Sequence, residues 1–341
     1  MLITGREAAT RACVAAFLVP LVFSSVATAA DDKPYVMKIT LATVDDDVHQ
    51  FAKDYAAAVE KDSGGRIKAE IYPASQLGSI QRQIEGIQFG AIQAAVIPPE
   101  FFVTVDERFE ILTAPGLVVS MADGQRLAAN PAVRNLMLGL GAGKGLHGVG
   151  LFMASPSSVI SRSPIRHIAD FKGKKIRIFA SEFQKVALQR LGAITKPMTL
   201  GEVLPALQDN IVDGAVAGLA VITPMHFQVA AKYVTEIGQP AIFGIVEISR
   251  KWYDSLPADL QQILDHDGAA GSVAINPVAI EIVGKARQAW IDGGGELINL
   301  PPDEQSTLLD TLASVGEDVS KTKPDLHAAY QIVSGAAPRN R

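Results

Sequence analysis

Between Met37 and Ile97 the hydrophobic period of the chain switches four times, and this alternation constrains the fold more than any other feature of the sequence. Met37-Lys38-Ile39-Thr40-Leu41-Ala42 alternates as a strand does, and from His49 to Lys61 the residues Phe51, Tyr55, Ala58 and Val59 recur at helical spacing. Ser63-Gly64-Gly65 stops that helix, because glycine tolerates the left-handed conformation in which helices commonly end. Arg66 to Tyr72 then puts Ile67, Ala69 and Ile71 on one face and Arg66, Lys68 and Glu70 on the other, a strand with one wet side. After the turn-rich Tyr72-Pro73-Ala74-Ser75-Gln76-Leu77-Gly78, Ile80, Ile84 and Ile87 mark a second helix ended by Gly90, and Ala94 to Ile97 is an apolar strand broken by Pro98-Pro99. The order β-α-β-α-β predicts an α/β lobe.

The same logic returns after a glycine-dense stretch from Gly139 to Gly150. Lys175 to Phe179 reads as a strand, Ser181 to Leu191 and Glu202 to Gln208 as helices, and Val212 to Ala217 as a strand. Ala241 to Ile248 is strand-like, Pro257 to His266 helical, Ser272 to Trp290 a long helix despite Pro277 and Gly284, and Glu304 to Val315 a further helix. The prediction is a two-lobed α/β protein whose chain crosses between lobes near Gly150 and near Gln239. Residues 30–150 with about 240–282 would form the first lobe, residues 151–239 with about 283–335 the second, and 336–341 a frayed tail.

The first residues are set apart. Arg6 and Arg11 precede an uncharged stretch from Ala12 to Val26 and the small residues Ala27-Thr28-Ala29-Ala30, the pattern of a secretory signal peptide over residues 1–29. The stretch is too short to cross a bilayer of roughly 30 Å as a helix. The single cysteine, Cys13, lies inside this leader, so the exported protein would have no disulfide, no thiolate chemistry and no cysteine-ligated metal. A periplasmic location is expected. Over all 341 residues the net charge is −5 and the hydrophobic share 48%, which argues against disorder and, without a basic excess, against nucleic-acid binding.

Catalytic patterns are missing. Gly139-Leu140-Gly141-Ala142-Gly143-Lys144-Gly145 suggests a phosphate loop, but Lys144 is followed by glycine where a magnesium-holding Ser or Thr belongs, so a flexible turn is the better reading. The six histidines are scattered. Asp45-Asp46-Asp47 lacks the spacing of a calcium loop and reads as a solvated turn or helix start, where carboxylates meet the positive end of the helix dipole. No cofactor, metal or enzymatic activity is expected. An exported chain of this kind suggests a receptor that closes around a small solute. Arg177 is the leading candidate for holding it: in Lys175-Ile176-Arg177-Ile178-Phe179 it alternates with two isoleucines near the carboxyl end of a strand, where α/β crevices open.

At this point the sequence resembles a known family. Tyr72-Pro73-x-x-Gln76-Leu77-Gly78, Pro164-Ile165 through Asp170-Phe171-Lys172-Gly173-Lys174-Lys175-Ile176-Arg177, Pro197-Met198, Glu202-Val203 through Ala206-Leu207-Gln208, and Val212-Asp213-Gly214 follow in the order found in the solute receptors of tripartite ATP-independent periplasmic (TRAP) transporters, the DctP-like family. The resemblance runs from about Met37 to about Leu264. It implies a periplasmic binding protein fold with an inter-lobe cleft and a long bracing C-terminal helix, which captures an organic acid and delivers it to membrane permease subunits. It also implies that Arg177 clamps the ligand carboxylate. The chemistry agrees, since a guanidinium offers a planar fork that matches a carboxylate with two parallel bonds.

The departures bear on the ligand. Many members carry a second arginine where an ungapped count lands on Ser157, and an asparagine where this chain has Ala217. Phe101, beside Glu100 in Pro98-Pro99-Glu100-Phe101-Phe102, together with Phe152, Met153 and Phe179, would offer apolar surface. The expectation is a monocarboxylate with an apolar or aromatic body rather than a sugar acid or a dicarboxylate, bound by a monomer. Glu100 would accept a bond from the ligand or be a surface charge. Asp213 would organise its turn, and His49 would sit near the cleft mouth or pack at a helix start. The alternatives are an exported enzyme on a related scaffold and a ligand-sensing subunit of a signalling system.

Overall fold

The computed structural model describes residues 1–2, 33–237 and 241–338. Nearly all of the leader expected at 1–29, the crossing expected near Gln239 and the end of the expected tail lie outside the described residues. The strands are β1 (Tyr35–Thr40), β2 (Ile67–Tyr72), β3 (Ala94–Ile97), β4 (Leu146–Pro156), β5 (Ser158–Ser161), β6 (Lys175–Ile178), β7 (Ile194–Pro197), β8 (Gly214–Ala217), β9 (Tyr233–Glu236), β10 (Ala241–Ser249) and β11 (Glu296–Asn299). They form two sheets, β2-β1-β3-β10-β4 and β11-β9-β5-β8-β6-β7, one in each lobe of a two-lobed α/β fold.

The β-α-β-α-β reading of the first lobe holds to within a few residues, and local chemistry explains its limits. The helix Asp47–Asp62 is started by Asp46, whose Oδ1 accepts from the His49 backbone N–H at 2.8 Å and from the Thr43 hydroxyl at 2.9 Å. The helix Ile80–Phe89 ends at Gly90 with φ +84°, the left-handed conformation that glycine takes without strain. Strands β1, β2 and β3 pair in parallel, so each connection between them must be a crossover, which the intervening helix supplies.

Each sheet also contains one antiparallel member supplied by a crossing segment. β4 ends the first lobe's share of the chain, and β5, immediately after Ser157, runs antiparallel between β8 and β9 of the second sheet. In return β10 runs antiparallel between β3 and β4. β4 stays hydrogen-bonded to β10 beyond Gly150, as far as the pair Ala241↔Pro156.

The long helix is longer than the sequence suggests. Ala258–Asp292 is one helix of 35 residues, about 50 Å, where two helices, Pro257 to His266 and Ser272 to Trp290, were expected. Gly268 and Gly150 are packing glycines: a Cβ on Gly268 would lie 2.7 Å from the Val149 carbonyl oxygen, and one on Gly150 3.0 Å from that of Gly268. Ser272 completes the seam, accepting from the Leu151 N–H at 3.1 Å. The other end of the helix belongs to the second lobe, where Ala286 and Trp290 join its core and Arg287 pairs with Glu236 on β9. One rigid element thus braces both lobes. Among the described residues no helix is long and apolar enough to cross a membrane.

Candidate ligand-binding site

β1, β3, β6 and β8 all release their chains toward one cavity between the sheets. Ala42, Thr43 and Asp47 follow β1, Pro98 and Phe101 follow β3, Phe179 follows β6, and Gly218 and Val221 follow β8. Ala154 and Ser155 from the end of β4 and Ile242 from the start of β10 close the back. This is the place where parallel strands leave their peptide ends unpaired and where an α/β crevice forms. The cavity volume is about 40 Å³, so its walls lie close together.

Arg177 is the most unusual group on that wall. It is fully buried on β6. Its Nε donates to the Met198 carbonyl and its Nη1 to the Val216 carbonyl, each at 2.9 Å, while its buried Nη2 has no partner. The guanidinium carbon lies 4.4 Å from the centroid of the Phe179 ring. Burial pulls its pKa down to about 10, against the raising influence of Glu100 and Glu202, so the group remains a cation at neutral pH. Two backbone carbonyls hold the fork in place and the Nη2 amino group is left for something else.

Glu100, in the turn Pro99–Phe102, is buried and has an unpartnered Oε1, but it is behind the cavity wall. Burial raises its pKa to about 7, with Arg177 pulling it down and Glu110 pushing it up. At neutral pH it therefore only partly balances the Arg177 charge. Phe101 and Phe179 both line the cavity and meet edge-on, with ring centroids 5.6 Å apart. Ala217 lines it too, and its methyl leaves room where a longer polar side chain would project.

Three residues expected at the wall lie outside the cavity lining. Phe152 is in the core, stacked on Phe51 at 4.5 Å, with the backbone of Gly244 against its ring edge. Met153 is buried against Gly124. Ser157 is buried in the link between β4 and β5 and is not part of the cavity lining. His49 is a helix-start residue whose Nδ1 accepts from the Asp45 N–H at 3.0 Å, and Asp213 holds its turn by accepting from the Lys175 N–H at 2.8 Å.

The sequence profile of the bacterial extracellular solute-binding proteins, family 7 (DctP), matches residues 40–322. The chain belongs to this family. Among its family 7 relatives is the C4-dicarboxylate-binding periplasmic protein DctP of Rhodobacter capsulatus, 26% identical over 79% of this chain and 81% of the relative. The 2,3-diketo-L-gulonate-binding periplasmic protein YiaO of Escherichia coli is 28% identical over 64% of this chain and 67% of the relative. The fold matches a TRAP periplasmic solute-binding protein of Shewanella oneidensis with bound succinate, at TM-score 0.82 and 22% identity, over 90% of this chain and all of that one. One from Desulfovibrio salexigens with bound orotic acid matches at TM-score 0.81 and 23% identity, over 89% of this chain and all of that one.

For a family 7 chain, the sequence reading missed two groups on the cavity wall. Asp46-Asp47 is not a solvated run: Asp46 does start the helix, but both side chains are about 1% exposed. Neither oxygen of Asp47 has a partner, and Asp47 lines the cavity. Burial raises its pKa to about 6 despite the helix's first amides, and burial together with the Asp47 charge also pushes Asp46 well above the usual carboxylate range. The Ser155 hydroxyl also faces the cavity without a partner. The available signal for Asp47 was its place just after β1, at the same strand ends that aim Arg177 into the crevice.

Proposed function

We propose that this protein is the periplasmic solute receptor of a TRAP transporter, that it holds a small organic acid by its carboxylate on Arg177, and that it hands that acid unchanged to the membrane permease. The observation that carries the reading is the buried, unpartnered Nη2 of Arg177 on the cavity wall. An ionised donor is not left dry in a protein interior without a cost, and a carboxylate is the partner its planar fork fits best. The partly neutral Glu100 supports the same reading, because it leaves positive charge for an anionic guest to balance. Membership of family 7 and relatives described as binding C4-dicarboxylates or diketogulonate support an organic acid as the class of ligand.

The body of the ligand would be apolar or aromatic. Phe101, Phe179, Ala217, Val221 and Ile242 favour it, and Arg177 is the sole cationic side chain among the described lining residues, which disfavours a dicarboxylate. Phe101, Phe179 and Ala217 would touch the ligand, Glu100 would act on it through Arg177, and Ser157 and Phe152 would shape the walls from behind. The lobes would close by hinging at the β4–β5 and β9–β10 links, in a monomer. No turnover of the acid is required.

Thermal-shift screening against small carboxylates tests this, with Arg177→Ala and Arg177→Lys beside the wild type. A stabilising acid is expected for the wild type alone, since losing one partner of a buried charge pair costs about 3–5 kcal/mol. Equal stabilisation of all three proteins would refute the clamp.

A further inference from the structure

Arg177 shares the cavity with a second buried group that has nothing to bond to. Asp47 comes from the first lobe, at the first position of the helix after β1; Arg177 comes from the second, on β6. Both line the same space, Asp47 with no well-formed hydrogen bond beyond the influence of the amides of its own helix turn and Arg177 with Nη2 undonated. Asp46 does not take this place: its Oδ1 is committed to the helix start through Thr43 and the His49 N–H, and its side chain is not part of the cavity lining. The cavity is therefore two-ended, with a cationic donor on one wall and an acidic acceptor on the other.

A plain fatty acid seated on Arg177 would leave Asp47 buried and unsatisfied. A dicarboxylate would place a second anion where a carboxylate already is, with no other cation among the described lining residues to separate them. A hydroxyl or an ammonium would donate to it. The unpartnered Ser155 hydroxyl can accept or donate beside either.

We infer that the ligand is a monocarboxylate whose far end carries a hydrogen-bond donor, and that Asp47 is the residue that selects for it. This rests on the Arg177 reading above and narrows it to hydroxy or amino carboxylates with an apolar middle. The two donor chemistries separate in the test, because an ammonium needs the negative charge of Asp47 while a hydroxyl needs only an acceptor.

The test is calorimetric titration of the wild type, Asp47→Asn and Arg177→Ala with butyrate, 4-hydroxybutyrate, 4-aminobutyrate and succinate, and with their five- and six-carbon homologues. At the best chain length a donor-ended acid should bind wild type at least about tenfold more tightly than the methyl-ended and dicarboxylic acids. In Asp47→Asn an amino acid's advantage should vanish, whereas a hydroxy acid should keep most of its own, since the amide oxygen still accepts. If the methyl-ended or dicarboxylic acid binds wild type as tightly as the donor-ended ones, or if Asp47→Asn shifts every acid alike, the selection by Asp47 is refuted, and loss of binding in Arg177→Ala would show that the clamp survives it. If no acid binds wild type, or Arg177→Ala binds as wild type does, both readings fall together.

Discussion

The ring of Phe101, from the first lobe, meets the ring of Phe179, from the second, edge-on at 5.6 Å. Phe179 in turn presents its face to the Arg177 guanidinium at 4.4 Å. The pair therefore joins the two sides of the cleft beside its cation. Ring pairs of this kind contribute about 0.5–1.5 kcal/mol beyond the area they bury. Their loss should therefore affect closure rather than folding.

Phe179→Leu should weaken ligand binding by about threefold to tenfold, because it removes both the ring pair and the aromatic face under the cation. Phe101→Leu, which removes the ring pair alone, should cost less. Titration of the two variants with a ligand found by thermal shift measures this ordering. Equal or negligible losses would mean that the rings are ordinary wall packing.

Glu100 gives binding a pH dependence with a definite sign. Its carboxyl titrates at about 7, facing Arg177 and Glu110. Below that pH it is neutral and leaves Arg177 free to hold an anion; above it, the ionised group competes for the same cation. Carboxylate affinity should fall as pH rises through 7, and Glu100→Gln should flatten the fall. A wild-type affinity that is constant or rising over that range would contradict the counter-charge role.

Much of the fold was legible because the period of the apolar residues tracks the elements directly, as in β1 to β3 and the helices between them. Arg177 was legible for the same reason, flanked by Ile176 and Ile178 in a strand whose end opens on the crevice. Asp47 was not, since an acidic run ahead of a helix already has an ordinary explanation in capping, and the run alone does not say which carboxylate turns inward. The phenylalanines carried no such distinction either. Phe101 and Phe152 are equally apolar, and only the placement of β4 beneath the helix bearing Phe51 sends the latter to the core. Gly150 is ambiguous in a different way, because glycine required for close packing looks in sequence like glycine required for a hinge.

Gly218, after β8, lies hard against Ser155 of β4. A Cβ there would lie 2.2 Å from the Ser155 hydroxyl oxygen, across the back of the cavity. Gly218→Ala should push Ser155 aside or hold the lobes apart, at the roughly 1–3 kcal/mol typical of overpacking, and so reduce ligand affinity. Adding Ser155→Gly removes the obstructing atoms and should restore part of the loss. If the double variant binds no better than Gly218→Ala, the contact is not what limits closure.

Glu247 should make the protein less stable as pH rises. It lies on β10 opposite Ala95 of β3 and Gly148 of β4, fully buried, with neither oxygen hydrogen-bonded. Thr40, in the same row on β1 through its pairing with Ala95, also has an unpartnered hydroxyl. Burial alone raises the Glu247 pKa well above its usual value, so the folded chain keeps a proton there that the unfolded chain releases. Between the unfolded and folded pKa values stability then falls with rising pH, by up to about 1.4 kcal/mol per unit for one proton. Glu247→Gln keeps the shape and removes the titration. Denaturant unfolding of both proteins from acid to neutral pH should show curves that meet near the acid end and separate as pH rises, the variant the more stable; parallel curves would mean that Glu247 is ionised in the fold after all.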